Sequence, residues 1–155
     1  MDLDALFDGF NAAWTSREAA PFAAVCVDDV HYEDPLTAAP LVGVGSLAAH
    51  AAELWAAFPD AQVSATGARI AGGAFACAPC RISGTQRGPL GRIAATRRRV
   101  EVHAVVYAEL REDRLWRVRA FFDLYGVGTQ LGALPKHGTA GERALLLLRG
   151  FGLRG

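Results

Sequence analysis

No apolar stretch of this chain approaches the roughly 18 consecutive residues that a bilayer-spanning helix needs, and the run Ala144–Leu148 is far too short. The first residues, Met-Asp-Leu-Asp, are acidic where a secretory signal would be basic, so a cytoplasmic location without membrane contact is expected. Net charge is also missing. The 16 basic residues balance 16 acidic ones, so there is no chain-wide positive field for nucleic acid or an anionic membrane. Arginines do cluster at Arg97–Arg99 and at Arg114, Arg117 and Arg119, as solvated sheet surface or as an anion-binding patch. Cysteine is scarce: Cys26, Cys77 and Cys80 form no even disulfide framework. Cys77 and Cys80 make a C-x-x-C inside a strand pattern, where residues three apart face opposite sides, and no further ligands stand at zinc spacing. They read as small buried hydrophobes. No glycine-rich phosphate cradle, nucleophile elbow or metal-ligand cluster occurs, which leaves acid/base chemistry without a cofactor.

What is present suits one globular domain: 155 residues, 52% hydrophobic and 21% charged. Leu6, Phe7, Phe10 and Trp14 recur at helical spacing and predict a helix over about 2–16. A second helix is expected over 19–27, with Pro21 in its first turn. A short strand follows at 30–34, closed by Pro35, and then a loop containing Pro40 and Gly43. Ser46 is the expected N-cap of a third helix carrying Leu47, Ala51, Leu54, Trp55 and Phe58, which Pro59-Asp60 ends. From Ala61 the pattern turns to strands at about 61–71, 74–86, 96–111 and 114–123, with turns at Gly72-Gly73 and Glu112-Asp113. Short helices are expected over 124–133 and 139–149. Helices first and strands afterwards indicate an α+β fold.

The last hairpin decides which residues share a pocket. A two-residue turn at Glu112-Asp113 sets Tyr107, Val105 and His103 opposite Val118, Ala120 and Phe122. One face then carries His103, Val105, Tyr107, Trp116, Val118, Ala120 and Phe122, an aromatic set with a few polar groups, as in a ligand pocket. The other carries Val102, Ala104, Val106, Arg117, Arg119, Phe121 and Asp123, which suits the interface of a homodimer. A bulge would swap residues between the two faces.

The order of these pieces resembles the nuclear-transport-factor-like superfamily. They are helices, then Val27-Asp-Asp-Val-His-Tyr-Glu-Asp-Pro35, a glycine loop, a helix ending Phe58-Pro59-Asp60, and four strands. Within it the chain is most similar to the SnoaL-like polyketide cyclase family. The matching pieces are Phe58-Pro59-Asp60, Gly84-Thr85 with Gly88, Thr96–Val100, Phe122-Asp123, and the closing segment Asp123-x-x-Gly126-x-x-x-Gln130-Leu131-Gly132. The resemblance implies a cone-shaped curved antiparallel sheet against three N-terminal helices around one pocket. It covers a domain over 1–134 and leaves a tail over 135–155 with a short helix. It also implies a dimer. The fold hosts cyclases, isomerases, dehydratases and plain binders, so it does not fix the reaction.

Residue by residue, Glu33-Asp34-Pro35 resembles the ketosteroid isomerase segment that carries the general base, which places Asp34 in that role. The isomerase's tyrosine donor falls on Phe10. Its second donor falls around Val105–Tyr107, where His103 or Tyr107 could substitute. The cyclases' acid/base aspartate corresponds to Asp123, or to Ala120 if it lies deeper on the pocket face. Limonene epoxide hydrolases need an Arg-x-Asp pair and a second aspartate, and Arg81-Ile82-Ser83 and Ala120 supply neither.

Each candidate also has an ordinary reading. Asp34 suits a turn carboxylate, Asp123 a helix N-cap, His103 and Tyr107 half-buried packing, and His50 a helix boundary. Phe10, Trp14, Trp55, Trp116 and Phe122 are core, which in a cone fold is also pocket lining. Two functions follow. One is a cofactor-free cyclase or isomerase acting on a hydrophobic carbonyl compound. The other is a non-catalytic binder of a small hydrophobic molecule.

Overall fold

A computed structural model describes residues 2–151. The chain runs α1 (Leu3–Ser16), α2 (Ala20–Val25), β1 (Cys26–Glu33), β2 (Leu41–Val42) and α3 (Val44–Ala57). It continues through β3 (Gln62–Ala65), β4 (Ile70–Gly72), β5 (Phe75–Thr85), β6 (Arg99–Arg111), β7 (Arg114–Phe122), α4 (Leu124–Leu131) and α5 (Ala140–Phe151). All but β4 lie along one sheet path, β2-β1-β7-β6-β5-β3, with β4 paired to β5. The pairings are antiparallel except that β1 runs parallel to β7. The expected α+β architecture is present, with the helical segment first and the sheet curved around it.

Local chemistry moves several boundaries. Cys26 already pairs with Leu115, so β1 begins four residues before the expected strand and α2 ends earlier. The third helix is capped by Gly43 and not by Ser46: Gly43 has φ of 87°, and its amide donates to the Val30 carbonyl at 2.7 Å. That backbone suits glycine alone without strain. The expected strand over 61–71 breaks after Ala65, which pairs with Cys80: the next residue, Thr66, stands opposite Pro79, which has no N–H to return to the ladder. Pairing resumes at Ile70, opposite Cys77.

The sheet's inner face is built largely from small residues, including Ala76, Ala78, Cys80, Ala104, Ala108 and Ala120. Against it pack Phe7 and Phe10 of α1 and Phe22 of α2, each almost fully buried. Large rings opposite small residues fill the base of the cone and leave space further along. Buried Gln86 closes the long β5–β6 connection: its Oε1 accepts from the Thr96 amide at 3.1 Å and hydroxyl at 2.7 Å.

The β6–β7 hairpin corrects the expected phase. Glu112 and Asp113 do form the two-residue turn, both at positive φ (54° and 58°). Leu110 pairs with Leu115, but Glu109 pairs with Arg117, so β7 carries one extra residue in a bulge. Beyond it, Tyr107 faces Arg119, Val106 faces Ala120 and Val105 faces Phe121. Val102, Ala104 and Val106 therefore turn inward with Val118, Ala120 and Phe122, while His103, Val105 and Tyr107 turn outward with Arg117, Arg119 and Phe121. The phase of β7 is as expected, and that of β6 is reversed.

Among the described residues no helix is long and apolar enough to cross a membrane.

Candidate functional site

A cavity of about 120 Å³ opens inside the cone. Phe10, Asn11 and Trp14 of α1 line one side, and Leu54 and Trp55 of α3 another. The sheet supplies Tyr32 and Asp34 at the end of β1, Cys80, Ile82 and Ser83 of β5, Val100, Val102 and Val106 of β6, and Ala120 and Phe122 at the end of β7. Leu36 and Leu124 also border it while staying 37% and 39% exposed, which marks its mouth. Aspartate 34 is the one charged side chain in this lining.

The sequence makes Asp34 both a turn residue and a wall residue. Pro35 stops β1, and the chain folds back so that the Leu36 and Thr37 amides donate to Asp34 Oδ1 at 2.7 and 3.1 Å. Its Oδ2 accepts from the Tyr32 hydroxyl at 3.1 Å and from His50 Nε2 at 2.8 Å. The side chains of Asp34 and His50 are 2% and 12% exposed, so the pair is shielded from solvent. His50 reaches Asp34 from the middle of α3, with its ring packed near Trp14 and Tyr32.

Burial pushes the Asp34 carboxyl upward, the direction the apolar setting suggests on its own. The hydrogen bond and charge of His50, the Leu36 amide and the Tyr32 hydroxyl outweigh it, and the net shift is below the ordinary value of 3.8. The group is therefore an ionised carboxylate near neutrality. Burial first, then the Asp34 charge, drives the Tyr32 hydroxyl well above its usual range, so it stays a donor. Burial likewise lifts the Cys80 thiol to about 11, which leaves it protonated and unreactive at neutral pH.

Of the residues expected at the site, the structure gathers Asp34, Phe10, Trp14, Trp55, Ala120 and Phe122 around the cavity. Val118 lies just beneath them in the core. Asp123 is exposed and accepts from the Gly126 amide at 2.8 Å as the N-cap of α4, so it does not enter the cavity. The bulge places His103, Val105 and Tyr107 on the outer face, where Tyr107 stacks with Phe75. Trp116 packs against the core edge with the guanidinium groups of Arg111 and Arg117 over its ring, and it is not part of the cavity lining. Sequence reasoning missed Tyr32, His50 and Asn11. Asn11 carried a signal, being polar where the Phe7, Phe10, Trp14 stripe calls for an apolar residue; His50 carried none beyond its place near the Leu47 and Leu54 stripe. Among the described residues no cluster of three or more His, Cys, Asp or Glu could hold a metal ion.

Residues 5–131 match the model of the SnoaL-like polyketide cyclase family. Among solved structures, TsrD from Streptomyces laurentii is similar, with 23% identity and a TM-score of 0.76 over 85% of this chain and 96% of its own. A protein with a ketosteroid isomerase-like fold from Catenulispora acidiphila, solved with trimethylamine, has 17% identity and a TM-score of 0.71 over 82% and 92%. IdmH from Streptomyces antibioticus has 18% identity and a TM-score of 0.73 over 85% and 99%. No curated protein sequence matches. With the family model covering most of the sequence, the chain belongs to the SnoaL-like polyketide cyclase family.

Proposed function

We propose that the protein is a cofactor-free acid/base catalyst acting on a small hydrophobic carbonyl compound, as a cyclase or isomerase, with Asp34 as the base. The observation that carries this reading is a single buried carboxylate in the wall of an otherwise apolar cavity, fixed on both oxygens. Leu36 and Thr37 hold Oδ1, and Tyr32 and His50 hold Oδ2, so the carboxylate is oriented before a ligand arrives. His50 is a positioning residue that links the buried carboxylate to the partly exposed side of α3. An acidic carboxylate is a weak proton acceptor. Proton abstraction beside a carbonyl then depends on how well the enolate oxygen is stabilised.

The second reading is a non-catalytic binder of a small hydrophobic molecule. Ala120 favours it, because the pocket-facing position of β7 holds no carboxylate, and so does the full hydrogen bonding of Asp34. Deuterium incorporation into 2-tetralone in D2O separates the two. Exchange faster than in buffer supports the catalyst; binding of 2-tetralone without faster exchange supports the binder.

We further propose that the outer sheet face pairs with a second copy of the chain. Val105 and Phe121 are cross-strand neighbours left 41% and 57% exposed, with Phe75 at 48% beside Tyr107. Around them lie the ion pairs Arg117–Glu109, Arg119–Glu33 and Arg81–Glu101. An apolar centre ringed by charges of both signs is self-complementary under a two-fold axis. Val102, Ala104 and Val106, expected in this interface, face inward and take no part.

A further inference from the structure

Two donors in the cavity lining are already committed. The Tyr32 hydroxyl donates to Asp34, and Trp55 Nε1 donates to the Trp14 carbonyl at 2.7 Å. The remaining charged group, Asp34, is an acceptor. A carbonyl oxygen entering this cavity therefore needs a donor that the protein has left free.

Asn11 supplies one. It sits on α1 between Phe10 and Trp14 in the lining and is only 8% exposed. The buried polar residues Asp34 and Gln86 are held by several hydrogen bonds each. The Asn11 carboxamide has no hydrogen-bond partner among the described residues. Folding alone does not account for that. The fully enclosed unpartnered side-chain atoms among the described residues are Arg114 Nε and Trp116 Nε1, so the Asn11 amide stays open to the cavity that it lines. An amide facing an apolar cavity without a protein partner is costlier than leucine in the same position of the aromatic stripe. Ser83 and Trp14 also offer unbonded polar groups to the cavity, but both residues are only half-buried, whereas Asn11 is more deeply buried.

We propose that Asn11 recognises the carbonyl oxygen of the ligand, donating an amide N–H to it while Asp34 faces its acidic C–H. This rests on reading the cavity as a ligand site, and it narrows the ligand to a neutral, apolar ketone-type molecule. As charge develops on the enolate oxygen, the same N–H strengthens its bond, the role an oxyanion donor fills.

The test compares 2-tetralone with tetralin, which lacks the oxygen. Binding is followed through Trp14 and Trp55 fluorescence in the wild-type protein and in Asn11→Leu and Asn11→Ala. The expected result is about a tenfold or greater loss of 2-tetralone affinity in both variants, with tetralin affinity unchanged or higher in Asn11→Leu. Apo Asn11→Leu is expected to melt no lower than wild type, since an unpartnered amide is removed. Equal losses for the two probes, no loss for either, or a lowered melting temperature of Asn11→Leu would overturn the assignment of Asn11 alone. If neither probe binds the wild-type protein, the cavity reading itself fails. Deuterium exchange is measured separately, so an inactive but 2-tetralone-selective protein would reject Asp34 as a base and keep Asn11 as the recognition group.

Discussion

His50 Nε2 lies 2.8 Å from Asp34 Oδ2, joining the middle of α3 to the end of β1 across sixteen residues of sequence. Because the carboxylate is buried, this bond orients it and also keeps it ionised. Replacing His50 with leucine removes the donor and leaves a buried carboxylate short of one partner. We expect His50→Leu to lose about 1–3 kcal/mol of stability by urea unfolding, with the Asp34 pKa raised in a carbon-detected NMR titration. A variant as stable as wild type would show that the pair contributes nothing to the fold.

The direction of the Asp34 shift sets a pH window. Its folded-state pKa lies below the ordinary 3.8, so its contribution to stability is complete above that value. It is lost as pH falls through 3.8 towards the folded-state pKa, because the unfolded chain takes up the proton first. Unfolding free energies of wild type and Asp34→Asn should converge below pH 3.8 and differ most above about pH 5. A difference that stayed constant across the acid range would contradict the shift.

Ala120 faces the cavity and Tyr107 does not. Ala120→Asp should place a second, poorly paired carboxylate beside Val106 and Phe122 and cost about 1–3 kcal/mol. Tyr107→Phe and His103→Ala should leave ligand binding unchanged, because both residues lie on the outer face. Impaired 2-tetralone binding in either outer-face variant, with the fold intact by circular dichroism, would contradict the observed hairpin phase.

The outer-face pairing is tested by sedimentation equilibrium at micromolar concentration. The wild-type protein should be a dimer and Phe121→Glu a monomer, since a carboxylate at the centre of the apolar patch would be buried unpaired. A wild-type monomer would remove the interface.

Much of the fold was legible because long periodic segments dominate it. Leu6, Phe7, Phe10 and Trp14 could belong only to a helix, and Phe58-Pro59-Asp60 with the closing Asp123–Gly132 segment pointed to the family. Asp34 was legible as a site residue through its likeness to an isomerase segment, while its hydrogen bonds were not. The Tyr32 and Leu36 contacts are local, but the His50 contact depends on how α3 lies against β1, which no spacing encodes. The β6 phase was lost to a single bulged residue near Leu115. The turn type fixes where a hairpin starts, and a bulge beyond it moves every later pair by one. The direction of the Asp34 shift was not legible for a related reason: an apolar setting is visible in composition, but the donors that outweigh it are not.

The most direct test of Asp34 as the base is the pH profile of α-proton exchange in 2-tetralone, followed by proton NMR in D2O for wild type and Asp34→Asn. The wild-type protein should accelerate exchange over buffer with a rate that is level across neutral pH and declines only in acid, where Asp34 takes a proton. Asp34→Asn should return the rate to that of buffer at every pH while still binding 2-tetralone. Exchange at the wild-type rate in Asp34→Asn would contradict the account.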